Sequence, residues 1–180
     1  MRKILGYGFL SLIVLLGALA IVIAVQPGEF RVERKITINA PAADIFVHVN
    51  DFHKWESWSP WIKLDPNAKN TFEGPTSGEG AVQKWSGNSE VGEGSMTLTQ
   101  SKPYEQIKIR LDFKKPMEDT SDVEFHFKEE GSKTTVTWSM HGKQNFLGKA
   151  LCLFVFDMDK MIGEKFEEGL KSMKAKVESK

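Results

Sequence analysis

Three of the chain's five tryptophans fall within "WESWSPW", as Trp55, Trp58 and Trp61. Indoles spaced three apart offer two kinds of chemistry. They can form a large, rigid apolar wall, and each carries an N–H able to find a partner at a wet rim. Residues suited to carrying out reactions are less well placed. His48, His53, His126 and His141 stand at no familiar zinc spacing with Cys or carboxylate partners. Asp157-Met158-Asp159 has an Asp-x-Asp spacing, but on a helix two such carboxylates diverge by about 200°. That geometry suits capping or a surface role. Cys152, the single cysteine, has no evident base nearby, and its apolar neighbours read as those of a buried thiol. No phosphate loop, dinucleotide fingerprint or Gly-x-Ser-x-Gly elbow is present. An acid–base enzyme needs titratable groups pointing inward. The best inward polar candidates are the amides Gln83 and Asn70, which can orient a ligand but shuttle protons poorly. Neither a metal nor a cofactor is expected.

The elements that must position these residues are legible from periodicity. In "IKIRLDF", Ile107, Ile109, Leu111 and Phe113 share one parity, against Lys108, Arg110 and Asp112. "DVEFHFK" sets Val123, Phe125 and Phe127 against Asp122, Glu124, His126 and Lys128. "TTVTWSM" sets Val136, Trp138 and Met140 on one side, and "SMTLTQ" does the same with Met96 and Leu98. Strict alternation of this kind predicts antiparallel strands with one wet and one apolar face. Gly-rich breaks at "GPTSGEG", "GNSEVGEG" and "EEGSK" mark the turns. Before them, "FRVERKITI" reads as a first strand whose apolar parity is broken by Arg34. In "NAPAADIFVHVND", Pro41 suits a first helical turn and Asp44 the positive end of the helix dipole. The order is strand, helix, a short helix or turn carrying the tryptophans, about six strands, and a long helix.

From Asn145 the period becomes helical. Phe154, Met158, Met161, Ile162, Phe166, Leu170, Met173 and Val177 step along one face. Asn145 or Asp157 is suited to cap an N-terminus, so this is one helix or two with a break near Asp157. In "LCLFVF", Leu151 to Phe156, six successive apolar residues cannot all face one side of a helix. Either the segment is buried all round, or part of it meets a membrane or a ligand portal.

The first residues differ from the rest. Arg2 and Lys3 are followed by Ile4 to Val25 without a charge. At about 1.5 Å per residue that run can cross a hydrocarbon core of roughly 30 Å. Residues 1–28 therefore read as a single-pass transmembrane anchor. A cleaved signal peptide ending near Ala18-Leu19-Ala20 is the alternative. Arg2 and Lys3 favour a cytoplasmic N-terminus, which would place the domain, residues 29–180, outside the cytoplasm, in a periplasmic or extracellular space. Without Arg2 and Lys3 the domain carries 22 basic and 24 acidic residues, a net of −2. That balance argues against nucleic acid as a partner.

The order of elements resembles the START-like helix-grip superfamily, in particular its polyketide cyclase/dehydrase and lipid-transport group, SRPBCC. "ITINAPAADIFVHVNDFHKWESWSPW" is similar to the group's first strand, Ala-Pro helix start and Trp-rich turn. "SGEGAVQKWSGN" with "VGEGSMTLTQ" is similar to its second hairpin, and "IGEKFEEGLKSMKAKVE" to its closing helix. The likeness spans Glu29 to Glu178. It implies an α+β fold in which a curved antiparallel sheet wraps a long C-terminal helix, here preceded by the N-terminal transmembrane helix. It also implies a cavity between sheet and helix.

The expected cavity residues are Trp55, Trp58 and Trp61 from the tryptophan segment, and Phe72, Gln83, Trp85, Met96 and Leu98 from the first hairpins. Ile109, Leu111, Phe125 and Trp138 follow from the later strands, and Met158, Ile162 and Phe166 from the helix. Each of these also has a plainer reading as filled core, and the tryptophans as a structural plug. The expected function is binding of a hydrophobic small molecule or lipid, next to a membrane. A cyclase/dehydrase-like enzyme or an interaction module with a filled interior are the alternatives.

Overall fold

The alternating segments pair into one sheet. Its strands are β1 (Glu29–Ile38), β2 (Lys69–Glu73), β3 (Val82–Ser86), β4 (Glu93–Lys102), β5 (Gln106–Lys115), β6 (Asp119–Glu130) and β7 (Lys133–Lys143). The order across the sheet is β1-β7-β6-β5-β4-β3-β2, and neighbours from β2 to β7 run antiparallel. Four α-helices, α1 (Arg2–Ala24), α2 (Ala42–Asn50), α3 (Phe146–Phe154) and α4 (Met158–Glu178), are joined by two 3-10 helices, Phe52–Ser57 and Pro60–Lys63. In this computed structural model the described residues are 2–154 and 157–179, with side chains described from Tyr7 onward except at 8, 9, 11, 155 and 156. Val155 and Phe156 of the "LCLFVF" segment thus lie outside the described residues. Two compact units are present, Met1–Phe30 with Lys143–Asp157, and Arg31–Gly142 with Met158–Lys180.

In the larger unit the register delivers the expected faces. Phe125 pairs with Ile107 on one side and Trp138 on the other, and Ile109 pairs with Leu98 and Val123. Leu98, Ile107, Ile109, Phe125, Val136 and Trp138 are almost completely buried. Asp122, His126 and Lys128, on the opposite parity of β6, are exposed. Each fully buried side chain of this kind stabilises by roughly 1.5–3 kcal/mol, so the concave face is the centre of the fold. Register shifts on β4 at Glu93/Gly94 and Leu98/Gln100 bend the sheet where it curves.

Pro41 stands at the N-cap of α2 and not inside its first turn. A proline side chain cannot cap, and the amide of Ala42 is met from β6 by Glu129 Oε2 at 2.7 Å. A carboxylate suits the positive end of a helix. At the other end the His48 and Val49 carbonyls would be left without intrahelical donors. Trp58 Nε1 donates to the first and Trp55 Nε1 to the second, each at 3.0 Å. The expected wet-rim partners of these indoles are therefore buried backbone oxygens.

The C-terminal helical pattern divides into two helices on either side of Asp157. On α4, Gly163, Phe166, Gly169, Leu170, Met173 and Val177 are buried, a stripe at three- and four-residue steps. Phe154 and Met161, expected on the same face, are 62% and 50% exposed. Phe154 ends α3 instead, and Met161 stands one step off the buried stripe. Arg34 breaks the parity of β1 because it reaches α4, where its guanidinium donates to both Asp159 carboxylate oxygens and to Glu167 Oε1. A Cβ at Gly163 would overlap that guanidinium. Lys63 pairs with Glu168 at 2.7 Å, and Glu178 Oε1 accepts from the backbone and side-chain amides of Asn39 at 2.7 Å.

These polar fastenings carry a pH dependence. The hydrogen bond from Arg34 holds the Asp159 carboxyl below its ordinary value of 3.8. The Asn39 amide does the same for Glu178 and Lys63 for Glu168, both below 4.5. A carboxyl whose folded value is depressed stabilises the fold above its unfolded value and ceases to as pH falls through the folded one. Urea midpoints are therefore expected to fall on acidification below about pH 4.5, modestly because the pairs are solvent-exposed. Arg34→Met is expected to flatten the part of that slope below about pH 4 due to Asp159.

In the smaller unit α3 packs against α1. Lys149 Nζ donates to the Ala24 carbonyl at 3.2 Å, near the C-terminus of α1, and Asn145 Oδ1 caps α3 by accepting from the Gly148 amide at 2.8 Å. The Cys152 thiol is half-buried, not buried as expected, and Gln144 Nε2 lies 3.0 Å from its sulfur. Phe146 and Leu147 are exposed, as are Leu153 and Phe154, so α3 is not buried all round. Among the described residues no helix is long and apolar enough to cross a membrane. Part of the Ile4–Val25 run lies outside those whose side chains are described.

Candidate functional site

The tryptophan segment follows α2 directly. Trp55 lies in the first 3-10 helix and Trp58 is the residue that caps its end, and their rings come together, 4.7 Å between centroids. Both are buried and both meet Phe125 and Trp138 edge-on. Trp61, half-buried in the second 3-10 helix, packs edge-on against Trp138 at 5.7 Å and Phe166 at 6.2 Å. Trp138 itself lies flat on Phe166, 4.0 Å away and 10° from parallel. The three tryptophans thus divide: Trp58 lies within solid core, while Trp55 and Trp61 also face open space.

That space is a cavity of about 300 Å³ between the concave sheet and α4, at the lower end of the range for small-molecule pockets, roughly 300–1,000 Å³. The sheet contributes Trp85, Met96, Leu111, Phe113, Val123, Trp138 and Met140, and α4 contributes Met161, Ile162 and Phe166. Of the expected residues, Trp55, Trp61, Gln83, Trp85, Met96, Leu111, Trp138, Ile162 and Phe166 line it. Trp58, Leu98, Ile109 and Phe125 do not, because at their end of the sheet the rings and aliphatic chains close into core. Met158 is half-buried on the first turn of α4, away from the lining. Phe72 is also placed elsewhere. It shares a face with Asn70 on β2, but it is 40% exposed and stacks on the His53 ring at 4.0 Å.

The lining residues missed by periodicity come from the segments that follow Trp61 and precede β4, while Met161 belongs to the helical stripe read in the sequence. Ile62, Asp65 and Ala68 follow the tryptophans, and Glu90 and Val91 lie in the turn before β4. They are drawn together because Asp65 Oδ2 accepts from the Asn88 amide at 2.7 Å and the Leu64 carbonyl from Asn88 Nδ2 at 3.1 Å. "GNSEVGEG" reads only as a turn in the sequence, and nothing in its pattern names a partner. Trp85 is seated over Gly94, its register partner, where a Cβ would meet the indole at 2.5 Å. Its Nε1 donates to the Val91 carbonyl at 3.0 Å.

Electrostatically the cavity is plain. Among the described residues its lining includes the carboxylates Asp65 and Glu90 and no lysine or arginine. The buried polar groups on its wall are Ser59 and Gln83. Gln83 Nε2 donates to Asn70 Oδ1 at 3.0 Å. His53, His126 and His141 lie outside the cavity beside Asp51, Glu124 and Asp122 respectively. Among the described residues no cluster of His, Cys, Asp or Glu is arranged to hold a metal ion.

The family described as polyketide cyclase / dehydrase and lipid transport matches residues 29–178. Solved structures with the same architecture include a protein from Nitrosospira multiformis, 18% identical with a TM-score of 0.59, covering 82% of this chain and 96% of that one. The Aha1 dimer from Colwellia psychrerythraea is 16% identical with a TM-score of 0.58 over the same shares. A protein from Chromobacterium violaceum is 12% identical with a TM-score of 0.59, covering 85% of this chain and 99% of that one. At these identities the structures share the fold alone. A comparison with curated proteins found no match. With a curved seven-stranded sheet, a closing helix and a family match over most of its length, this chain belongs to the polyketide cyclase/dehydrase and lipid-transport family of the SRPBCC superfamily.

Proposed function

We propose that residues 29–180 bind one small apolar molecule in the cavity under α4, and that residues 1–28 anchor the domain to a membrane, with the domain outside the cytoplasm. The observation that carries the binding reading is the wall itself. Trp85, Met96, Leu111, Phe113, Met140, Ile162 and Phe166 surround a partly open volume that a filled core would not leave. That volume suits a single compact molecule or one acyl chain, and not a two-chain lipid. Proton transfer has little support at this wall. Asp65 is engaged by the Asn67 and Asn88 amides, and Gln83 does not titrate.

Organic extraction of the purified full chain, followed by mass spectrometry, is expected to release an apolar compound at near one equivalent. Leu111→Trp, which fills the cavity, is expected to remove it. Identical extracts from both proteins would overturn the binding reading.

The anchor reading is supported by the uncharged Ile4–Val25 run and by the exposed apolar side chains from Leu10 to Leu16 on α1. The exposed Phe146, Leu147 and Phe154 on α3 add apolar surface in the same compact unit. Alkaline carbonate washing is expected to leave the full chain in the membrane pellet and to release a chain lacking residues 1–28. Release of the full chain would sink this part of the proposal.

A further inference from the structure

We propose that the cavity selects an uncharged ligand carrying a hydrogen-bond donor, a hydroxyl or an N–H, and that Gln83 receives that donor. This rests on the cavity being a binding site. Gln83 lies on β3, 8% exposed, with its side chain on the cavity wall. The direction of its amide is fixed from behind. Asn70 Nδ2 donates to the Ala68 carbonyl at 3.5 Å. Its Oδ1 then accepts from Gln83 Nε2 at 3.0 Å, and Gln83 Oε1 is the open end of this chain of amides. That oxygen is buried, and no described protein group donates to it.

A buried acceptor without a donor is costly, and such groups in folded proteins call for a specific explanation. Here the explanation is at hand, because the residue borders a cavity. The Ser121 and Ser139 hydroxyls are also buried without partners, but neither lines the cavity. Trp138 supplies the opposite polarity. Trp55, Trp58 and Trp85 donate their indole N–H groups to backbone carbonyls. The Trp138 Nε1–H is buried with no acceptor among the described residues. Gln83 and Trp138 stand on β3 and β7 with three strands between them, so each polar point is matched separately, and Gln83 Oε1 calls for a donor. Among the described residues no lysine or arginine lines the cavity, while Asp65 and Glu90 do, so a carboxylate would find two like charges there and no counter-charge.

The test uses the full chain in phospholipid nanodiscs, with 1-naphthol, 1-methoxynaphthalene and 1-naphthoate as probes. Calorimetric titration of the cavity-filled Leu111→Trp variant supplies the background for lipid partitioning. The wild type is expected to bind 1-naphthol about tenfold tighter than 1-methoxynaphthalene, which lacks the donor. Naphthoate is expected to bind at least as weakly as the methoxy compound. Gln83→Met is expected to erase the preference, and saturable methoxynaphthalene binding retained above the Leu111→Trp background in that variant reports an intact cavity. Equal affinities for naphthol and methoxynaphthalene in the wild type overturn the proposal, whatever the variant does. So does naphthoate binding as tight as naphthol, or a preference that survives Gln83→Met. If no probe binds above the Leu111→Trp background, the binding reading fails, and the donor preference with it.

Discussion

Replacing Trp138 with Ala is expected to lower the unfolding free energy by about 3–5 kcal/mol. The residue is 1% exposed and forms the hub of the aromatic cluster. It stacks on Phe166 at 4.0 Å and on Phe125 at 4.9 Å, and receives the edges of Trp55, Trp58 and Trp61. These neighbours come from three elements that cannot move independently into the vacated space. The 3-10 segment is tied to α2 by two indole hydrogen bonds, and α4 is fastened to β1 by Arg34. Incomplete collapse places the cost towards the upper end of that range. Urea denaturation of wild type and variant measures it. Trp138→Phe is expected to recover a large part of the loss, since it keeps the stacking partner. A loss below about 1 kcal/mol for Trp138→Ala would show that the hub is not a hub.

The second large effect is expected at Gly169, for the opposite reason. A Cβ there would lie 2.9 Å from the Trp138 ring and 3.0 Å from Pro60 Cδ. Neither neighbour yields easily, since the indole stacks on Phe166 and on Phe125 and Pro60 begins a 3-10 helix. Gly169→Leu gains roughly 0.8 kcal/mol of helix propensity. It loses about 1–3 kcal/mol or more to overpacking, and the second effect wins. Thermal denaturation is expected to show a lower midpoint for Gly169→Leu. At Gly148 on α3, a Cβ would meet nothing closer than 3.5 Å, so Gly148→Ala is the matching control and is expected to be neutral or stabilising. A raised midpoint in Gly169→Leu would mean that α4 does not rest on the sheet through this glycine.

The strands were legible because alternation and burial are the same fact seen twice. Ile107, Ile109, Phe125 and Trp138 have inward parity in sequence and almost no exposure in space. The cap at Asn145 and the break near Asp157 were each one of two readings the sequence left open, and the structure selects them. What parity does not give is depth along the face. Leu98 and Leu111 read alike, yet one is sealed in core and the other borders the cavity. The difference depends on where the tryptophans and α4 settle across the sheet. Phe72 shows the same limit, since it was expected at the cavity but stands exposed on the short edge strand β2. Asp65, Glu90 and Val91 escaped because loops meet through Asn88, a contact with no period. Arg34 was the most informative violation. A charge among Phe30, Val32, Ile36 and Ile38 looked like an interruption, and it is the attachment point for α4.

The strand order has a mechanical corollary. β1 and β2 follow one another in sequence but occupy opposite borders of the sheet. The connecting residues 39–68 must therefore traverse its full width, and the tryptophans ride on that crossing. The sheet cannot splay at its two margins without drawing this strap taut or unseating Trp55 and Trp58 from the carbonyls they grip. How far the mouth of the cavity can widen is then governed by the slack of one covalent tether as well as by the shape of the wall.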